Sequence, residues 1–155
     1  MRSWEFPNSL LIWGYAHRHW VVASPSSYGE FTMHGAMPDF AVSFQGDGVD
    51  IRETEWQGMN VAIEHFPAGL STAPIFVGLP DDRCQCPHWG YVIRGRVRVL
   101  YADHEETLQA GDAYYLAPGH TTIFEDDTEM VEFSPAGEYQ KTMEVAIRNV
   151  TGAAV

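Results

Sequence analysis

The sequence predicts an all-β protein, a small barrel or sandwich carrying one C-terminal helix. From about Phe40 onward, short runs of β-branched and aromatic residues recur at the spacing of such folds, about 8–12 residues. Glycine and proline turn signals separate the runs. Helical periodicity appears only after Ser134. A chain of 155 residues is the length of one domain and can bury a real core. Its apolar fraction of 45% and aromatic fraction of 13% are those of a globular chain rather than a disordered one.

Residues 1–36 stand apart. They hold Trp4, Trp13 and Trp20, three of the five tryptophans, with His17, His19 and His34. Arg2 and Arg18 cancel Glu5 and Glu30, so the whole net charge of -12 falls on residues 37–155. His17 and His19 form an H-x-H pair with no strand or glycine frame around it, which reads as a poorly ordered arm. Alternatively, Met33 or Met37 is the true start and the preceding residues are a mis-called leader.

Residues 37–135 are expected to form the β-domain. Phe40–Phe44, Val49–Glu53 and Met59–His65 read as strands, parted by Gly46-Asp47-Gly48 and Gln57-Gly58. Pro67-Ala68-Gly69 turns the chain, and 69–83, with Pro74, Gly78 and Pro80, reads as a long loop. The run from Tyr91 to Tyr101 reads as two strands hinged near Gly95. Glu106–Gln109, Asp112–Ala117, Thr121–Phe124 and Glu129–Ser134 complete eight or nine strands. Residues 136–155 are expected to be a helix and tail: Ser134 can cap, Pro135 suits the first helical position, and Tyr139, Met143, Ala146, Ile147 and Val150 recur at helical spacing up to Gly152.

The charge of -12 argues against a nucleic-acid partner, because phosphate binding needs clustered Lys and Arg. Arg94, Arg96 and Arg98 alternate along one strand; they read as a solvated sheet face before an anion site. No uninterrupted apolar run, Leu10 to Trp13 included, is long enough to span a bilayer, so no membrane partner is expected. Cys84 and Cys86 are the only cysteines, and their spacing along an extended chain gives poor disulfide geometry. A reducing, cytoplasmic location is the expectation.

Chemistry concentrates in Cys84-Gln85-Cys86-Pro87-His88-Trp89-Gly90-Tyr91-Val92-Ile93-Arg94-Gly95. Thiolate sulfur and imidazole nitrogen are the donors zinc prefers. Positions 84, 86 and 88 share one parity, so on an extended segment all three face one space. A second segment, Gly111 to His120, supplies a strand followed by another histidine. In a straight strand Cys84 and His88 are about 13 Å apart at Cα, beyond joint reach of one ion, whereas Cys86 and His88 at about 6.6–7 Å are comfortable. Cys86, His88 and His120 are therefore the safest trio, with Cys84 a conditional fourth ligand if Pro87 marks a bend.

On these residues the segment from about Met37 to Pro135 resembles the cupins, RmlC-like jelly-roll barrels with two metal-bearing motifs. Gly95 fits the closing glycine of the first motif, and counting back puts His88 in its glutamate slot, Cys84 in the second-histidine slot and Asp82 in the first. Gly111, Pro118 and Gly119 match the second motif loosely, with His120 two residues before the usual histidine slot, which Thr122 occupies. The phrase GLPDDRCQCPHWGYVIRG looks like an uncharacterised cupin subgroup. The resemblance implies a cupin-type double-stranded β-helix, a small-molecule pocket inside the barrel and a homodimer. Cysteines in place of histidines favour zinc over the iron or manganese usual in the family.

The sequence thus predicts a zinc-preferring cupin whose ligands are drawn from Cys84, Cys86, His88 and His120. Three ligands leave a coordination position for a substrate oxygen and for lyase, isomerase or hydrolase chemistry; four make the metal structural, in a non-catalytic binding or redox-sensing module. His65 and the acidic run Glu125-Asp126-Asp127 are secondary candidates, read first as a rim residue and a turn. Trp89, Tyr91, Tyr114 and Tyr115 could line a pocket but read first as core aromatics.

Overall fold

The computed structural model describes residues 34–152, and the expectations for His17, His19 and the leader lie outside the described residues. Two tight hairpins open the sheet. Asp47 and Gly48, then Gln57 and Gly58, take positive φ, the backbone that two-residue hairpins demand. They join β1 (Ala41–Gly46), β2 (Val49–Trp56) and β3 (Met59–Phe66) into an antiparallel meander. The loop after β3 holds two single-turn helices, Ala73–Phe76 and Pro80–Asp82, and leads to the cysteines.

The chain continues through β4 (His88–Arg94), β5 (Arg96–Leu100), β6 (Glu105–Gln109), β7 (Ala113–Leu116), β8 (Thr121–Phe124) and β9 (Thr128–Pro135). The hinge expected at Gly95 is observed, with φ +92°. A Cβ there would collide with Asp127 O and with Thr128, so only glycine lets β4 pass into β5 at this point.

β1-β2-β3-β9-β4-β7 form one six-stranded sheet and β6-β5-β8 a second of three strands. All strand pairings are antiparallel. Val92, Val97, Val99, Leu108, Leu116, Phe124 and Met130 pack between the sheets. At about 1.5–3 kcal/mol per buried side chain, this layer supplies the main hydrophobic drive. The all-β class with one terminal helix, read from the strand spacing, is the architecture observed.

The helix α1 runs Ala136–Thr151, one residue later than the sequence placed it, and ends at Gly152 in the left-handed region. Pro135 occupies the cap position without a side-chain cap bond, and Ser134 remains a strand residue. Tyr139, Thr142 and Ala146 are buried beneath the helix. No helix among the described residues is long and apolar enough to cross a membrane.

Register decides what enters the barrel. Glu53, Ala62, Glu132, Gly90 and Tyr114 lie in one row across β2, β3, β9, β4 and β7. The next inward row contains Ile51, Glu64, Met130 and Val92. Trp89, Tyr91, Ile93, Tyr115 and Phe133 take the opposite parity and are exposed on the outer face.

Candidate metal centre

A two-way backbone bridge joins the two motif segments. Cys84 N–H donates to His120 O at 2.8 Å, while Cys84 O accepts from Gly119 N–H at 2.7 Å and from His120 N–H at 3.3 Å. The Pro118-Gly119 turn permits this, with Gly119 at φ +94°. After Cys84 the chain bends at Cys86 and re-enters the sheet only at His88. That bend folds Cys84 back over four residues, and its Sγ lies 3.4 Å from His88 Nε2.

Cys84, His88 and His120 are all buried, and one ligand atom from each lies within 4.8 Å of the others. Cys86 is outside this group. Its side chain is fully buried in a small cluster with Tyr139, partly buried Phe76 and Met143, with Sγ 3.4 Å from Pro87 O. The sequence order of preference between the two cysteines is therefore reversed. Straight-strand parity favoured Cys86, and the bend brings Cys84 to the histidines and turns Cys86 toward the helix.

The sulfur and two nitrogens are donors a divalent metal takes. Bonds of about 2.0–2.3 Å give tetrahedron edges of about 3.3–3.8 Å, and the Cys84–His88 separation of 3.4 Å falls in that range, with the other pairs within 4.8 Å. One hydrogen bond fixes the His120 tautomer: Nδ1–H donates to Ala117 O at 2.7 Å, which leaves the Nε2 lone pair free. His88 Nδ1 lies 2.7 Å from Ser134 Oγ and 3.3 Å from Glu132 Oε2, which turns its Nε2 toward Cys84 Sγ. A carboxylate behind a histidine orients the ring and raises its basicity as a ligand.

Glu132 is held in turn by Tyr114, whose hydroxyl donates to Oε1 at 2.8 Å. Gly90 lies between them in the row, and a Cβ there would run into the Tyr114 hydroxyl and ring and into Val131 O. Tyr114 reaches Glu132 across the one strand position that carries no side chain.

Burial sets the protonation states. It pushes the Cys84 thiol up to about 11 and the Cys86 thiol up to about 12, so at neutral pH a metal would have to displace the Cys84 proton. Burial, with His88 alongside, pushes His120 down to about 4, so its ring is already neutral. Glu64 lies well above the usual carboxylate range, first because it is buried and then because Glu132 and Glu53 are near.

A cavity of about 110 Å³ lies between the sheets and α1 and touches Cys84, His88, His120, Glu64 and Glu132. Its remaining wall is mainly apolar, with Ile51, Phe66, Leu116, Phe124 and Met130.

The secondary candidates fall elsewhere. His65 has the parity opposite to Glu64 and does not line the cavity. Glu125 and Asp126 pair with Arg96, Glu125 also pairs with Arg98, and Asp127 accepts from Ala68 N–H. The arginine row is thus a paired surface face. Of the four aromatics, Tyr114 alone points inward.

Sequence reasoning missed Glu64, Glu132 and the second role of Ser134. The available signal was parity counted from His88, which puts Gly90 and Val92 inward and leaves Trp89, Tyr91 and Ile93 outside. Carried across the sheet register, the same count places Glu132 and Glu64 inside.

No family model matches the chain, and no curated protein sequence does. Solved structures do match. An RmlC-like cupin from Shewanella frigidimarina superposes with a TM-score of 0.52 at 16% identity, over 71% of this chain and 96% of that one. A cupin superfamily protein from Desulfitobacterium hafniense gives 0.46 at 11% identity, over 57% of this chain and 78% of that one. A cupin-2 domain protein from Shewanella frigidimarina gives 0.42 at 16% identity, over 55% and 78%. The chain has the cupin fold. Inside that fold the described residues bring together a buried Cys84, His88 and His120, a group whose donor types could hold a metal ion.

Proposed function

We propose that the protein is a zinc-preferring cupin that binds a small oxygen-bearing ligand beside a three-ligand metal centre of Cys84, His88 and His120. One observation carries this reading: both imidazoles are anchored through Nδ1, and their ligand atoms gather with a buried sulfur on the wall of a cavity. Zinc bound there would supply Lewis-acid polarisation of a ligand oxygen. The chain's own residues orient His88 through Glu132 and Ser134, exclude water with an apolar wall, and admit only a small molecule.

A closed structural site drawn from the two cysteines would need Cys86 as fourth ligand, and Cys86 lies outside the group of Cys84, His88 and His120. The open, lyase-, isomerase- or hydrolase-type reading is therefore favoured over the structural or redox module. Two free cysteines, one a ligand and one a core residue, suit a reducing compartment such as the cytoplasm. The exposed apolar strip of Trp89, Tyr91, Ile93, Tyr115 and Phe133 supports association of two copies.

The test is elemental analysis of protein purified without added metal. About one zinc per chain is expected for the wild type and for Cys86→Ala, with loss in Cys84→Ala and His120→Ala. Equal zinc content in all four proteins would overturn the centre.

A further inference from the structure

Glu64 is a carboxyl group on the cavity wall that the metal centre does not use. It is 5% exposed and lines the cavity. None of the described residues hydrogen-bonds it, although Glu132 and Glu53 are near enough to act on it electrostatically. The neighbouring acids are differently placed. Glu132 takes the Tyr114 hydroxyl and faces His88; Glu53 takes the Tyr139 hydroxyl at 2.7 Å. Each has a phenol, while Glu64 has only the cavity.

Glu64 stands on the cavity wall between apolar Ile51, Phe66 and Met130 on one side and the polar Cys84, His88, His120 and Glu132 on the other. A carboxyl group placed there is positioned to meet whatever enters.

We propose that Glu64 is a recognition residue of the cavity, donating a hydrogen bond from its carboxylic acid to the carboxylate or carbonyl oxygen of a short-chain acid. The inference rests on the metal-centre reading for the other end of the ligand, and supplies its chemical class. The groups facing Glu64 decide between donor and anion. Glu53 on β2 and Glu132 on β9 are acidic, Tyr139 on α1 and Tyr114 on β7 are phenols, and no Lys or Arg lines the cavity. Burial, then Glu132 and Glu53, raise Glu64 well above the usual carboxylate range, which favours its O–H form over a charge. An acceptor oxygen therefore fits better than an ammonium group. Size narrows the class further. One water needs about 10–15 Å³ of such space, so 110 Å³ has room for about seven to eleven non-hydrogen atoms, enough for a short-chain acid.

The full-length, zinc-loaded protein would be titrated calorimetrically with acetate, propionate and butyrate, and with ethylamine, propylamine and butylamine. At least one carboxylate should bind tenfold or more tightly than its matched amine. Glu64→Leu should weaken that binding at least tenfold, and Glu64→Gln, which keeps an N–H donor, should weaken it less. Both variants should hold wild-type zinc, and Glu64→Leu should melt at a higher temperature than wild type, because an unpartnered polar group has been removed from an apolar wall. Infrared spectra should contain a protonated-carboxyl band that disappears in Glu64→Gln. A preference for amines, no binding by any carboxylate, or a loss below tenfold in Glu64→Leu overturns the proposal. Absence of zinc from the wild type would instead overturn the metal centre, and is read separately by metal analysis.

Discussion

Gly90→Ala is the most economical test of how the barrel interior supports the centre. The added methyl group would meet the Tyr114 hydroxyl, the Tyr114 ring and Val131 O, all closer than real Cβ contacts allow. Overpacking in a fixed interior costs about 1–3 kcal/mol. If the ring moves aside, the 2.8 Å bond from Tyr114 to Glu132 is lost, and a hydrogen bond to a charged group is worth about 1.5–3 kcal/mol. Alanine recovers about 0.5–1 kcal/mol over glycine in a strand. The net expectation is a loss of about 2–5 kcal/mol in urea unfolding with an unchanged slope.

The same change should reach the metal. Glu132 braces His88 Nδ1, and losing such an outer partner typically costs about 10–100-fold in metal affinity. A double-mutant cycle isolates the cause. In a Tyr114→Ala background, Gly90→Ala should cost at least about 1 kcal/mol less than in wild type, because the ring it strikes is gone while Val131 O remains. A Gly90→Ala protein within about 0.5 kcal/mol of wild type and with unaltered zinc affinity would refute the reasoning.

Other outcomes rest on the same geometry. In the metal-free protein His120, pushed down to about 4, contributes stability that is present above its unfolded value near 6.5 and is lost as pH falls toward 4. That is about 3 kcal/mol at about 1.4 kcal/mol per unit, and it should be absent from the difference curve of His120→Gln. Glu64 has the opposite sign. The folded protein holds its proton to higher pH than the unfolded chain, whose value is about 4.3, so its contribution falls as pH rises above that value. Urea midpoints from pH 5 to 8 should decline more steeply for wild type than for Glu64→Leu. For the outer face, light scattering should give twice the monomer mass, and Trp89→Ser with Tyr115→Ser should reduce it to one; a wild-type monomer sinks the dimer reading. Cobalt substituted for zinc should show a sulfur-to-metal charge-transfer band that survives Cys86→Ala and vanishes in Cys84→Ala.

The strands were legible because their turns are written in residues with special backbone needs. Asp47-Gly48, Gln57-Gly58 and Gly95 all take positive φ where the sequence placed a break. The two motif segments were legible as well, and the backbone pairs them directly through Cys84 and His120. Which cysteine joins the histidines was not legible, because it depends on the depth of one bend at Cys86-Pro87, and parity holds only along a straight strand. The acids were hidden for a different reason. β3 reads Val61-Ala62-Ile63-Glu64, and an alternation rule would turn the two branched residues inward and the glutamate to solvent. The register does the reverse: Ile63 and Val61 share the parity of Val131 and Phe133, while Glu64 and Glu132 enter the barrel. That outer parity is itself apolar, with Val61 buried and Ile63 partly buried, which erases the contrast on which alternation depends. Its exposed part, Phe133 beside Trp89 and Tyr91, is what the proposed second copy would cover, as the inward carboxyls are what the proposed ligand would meet.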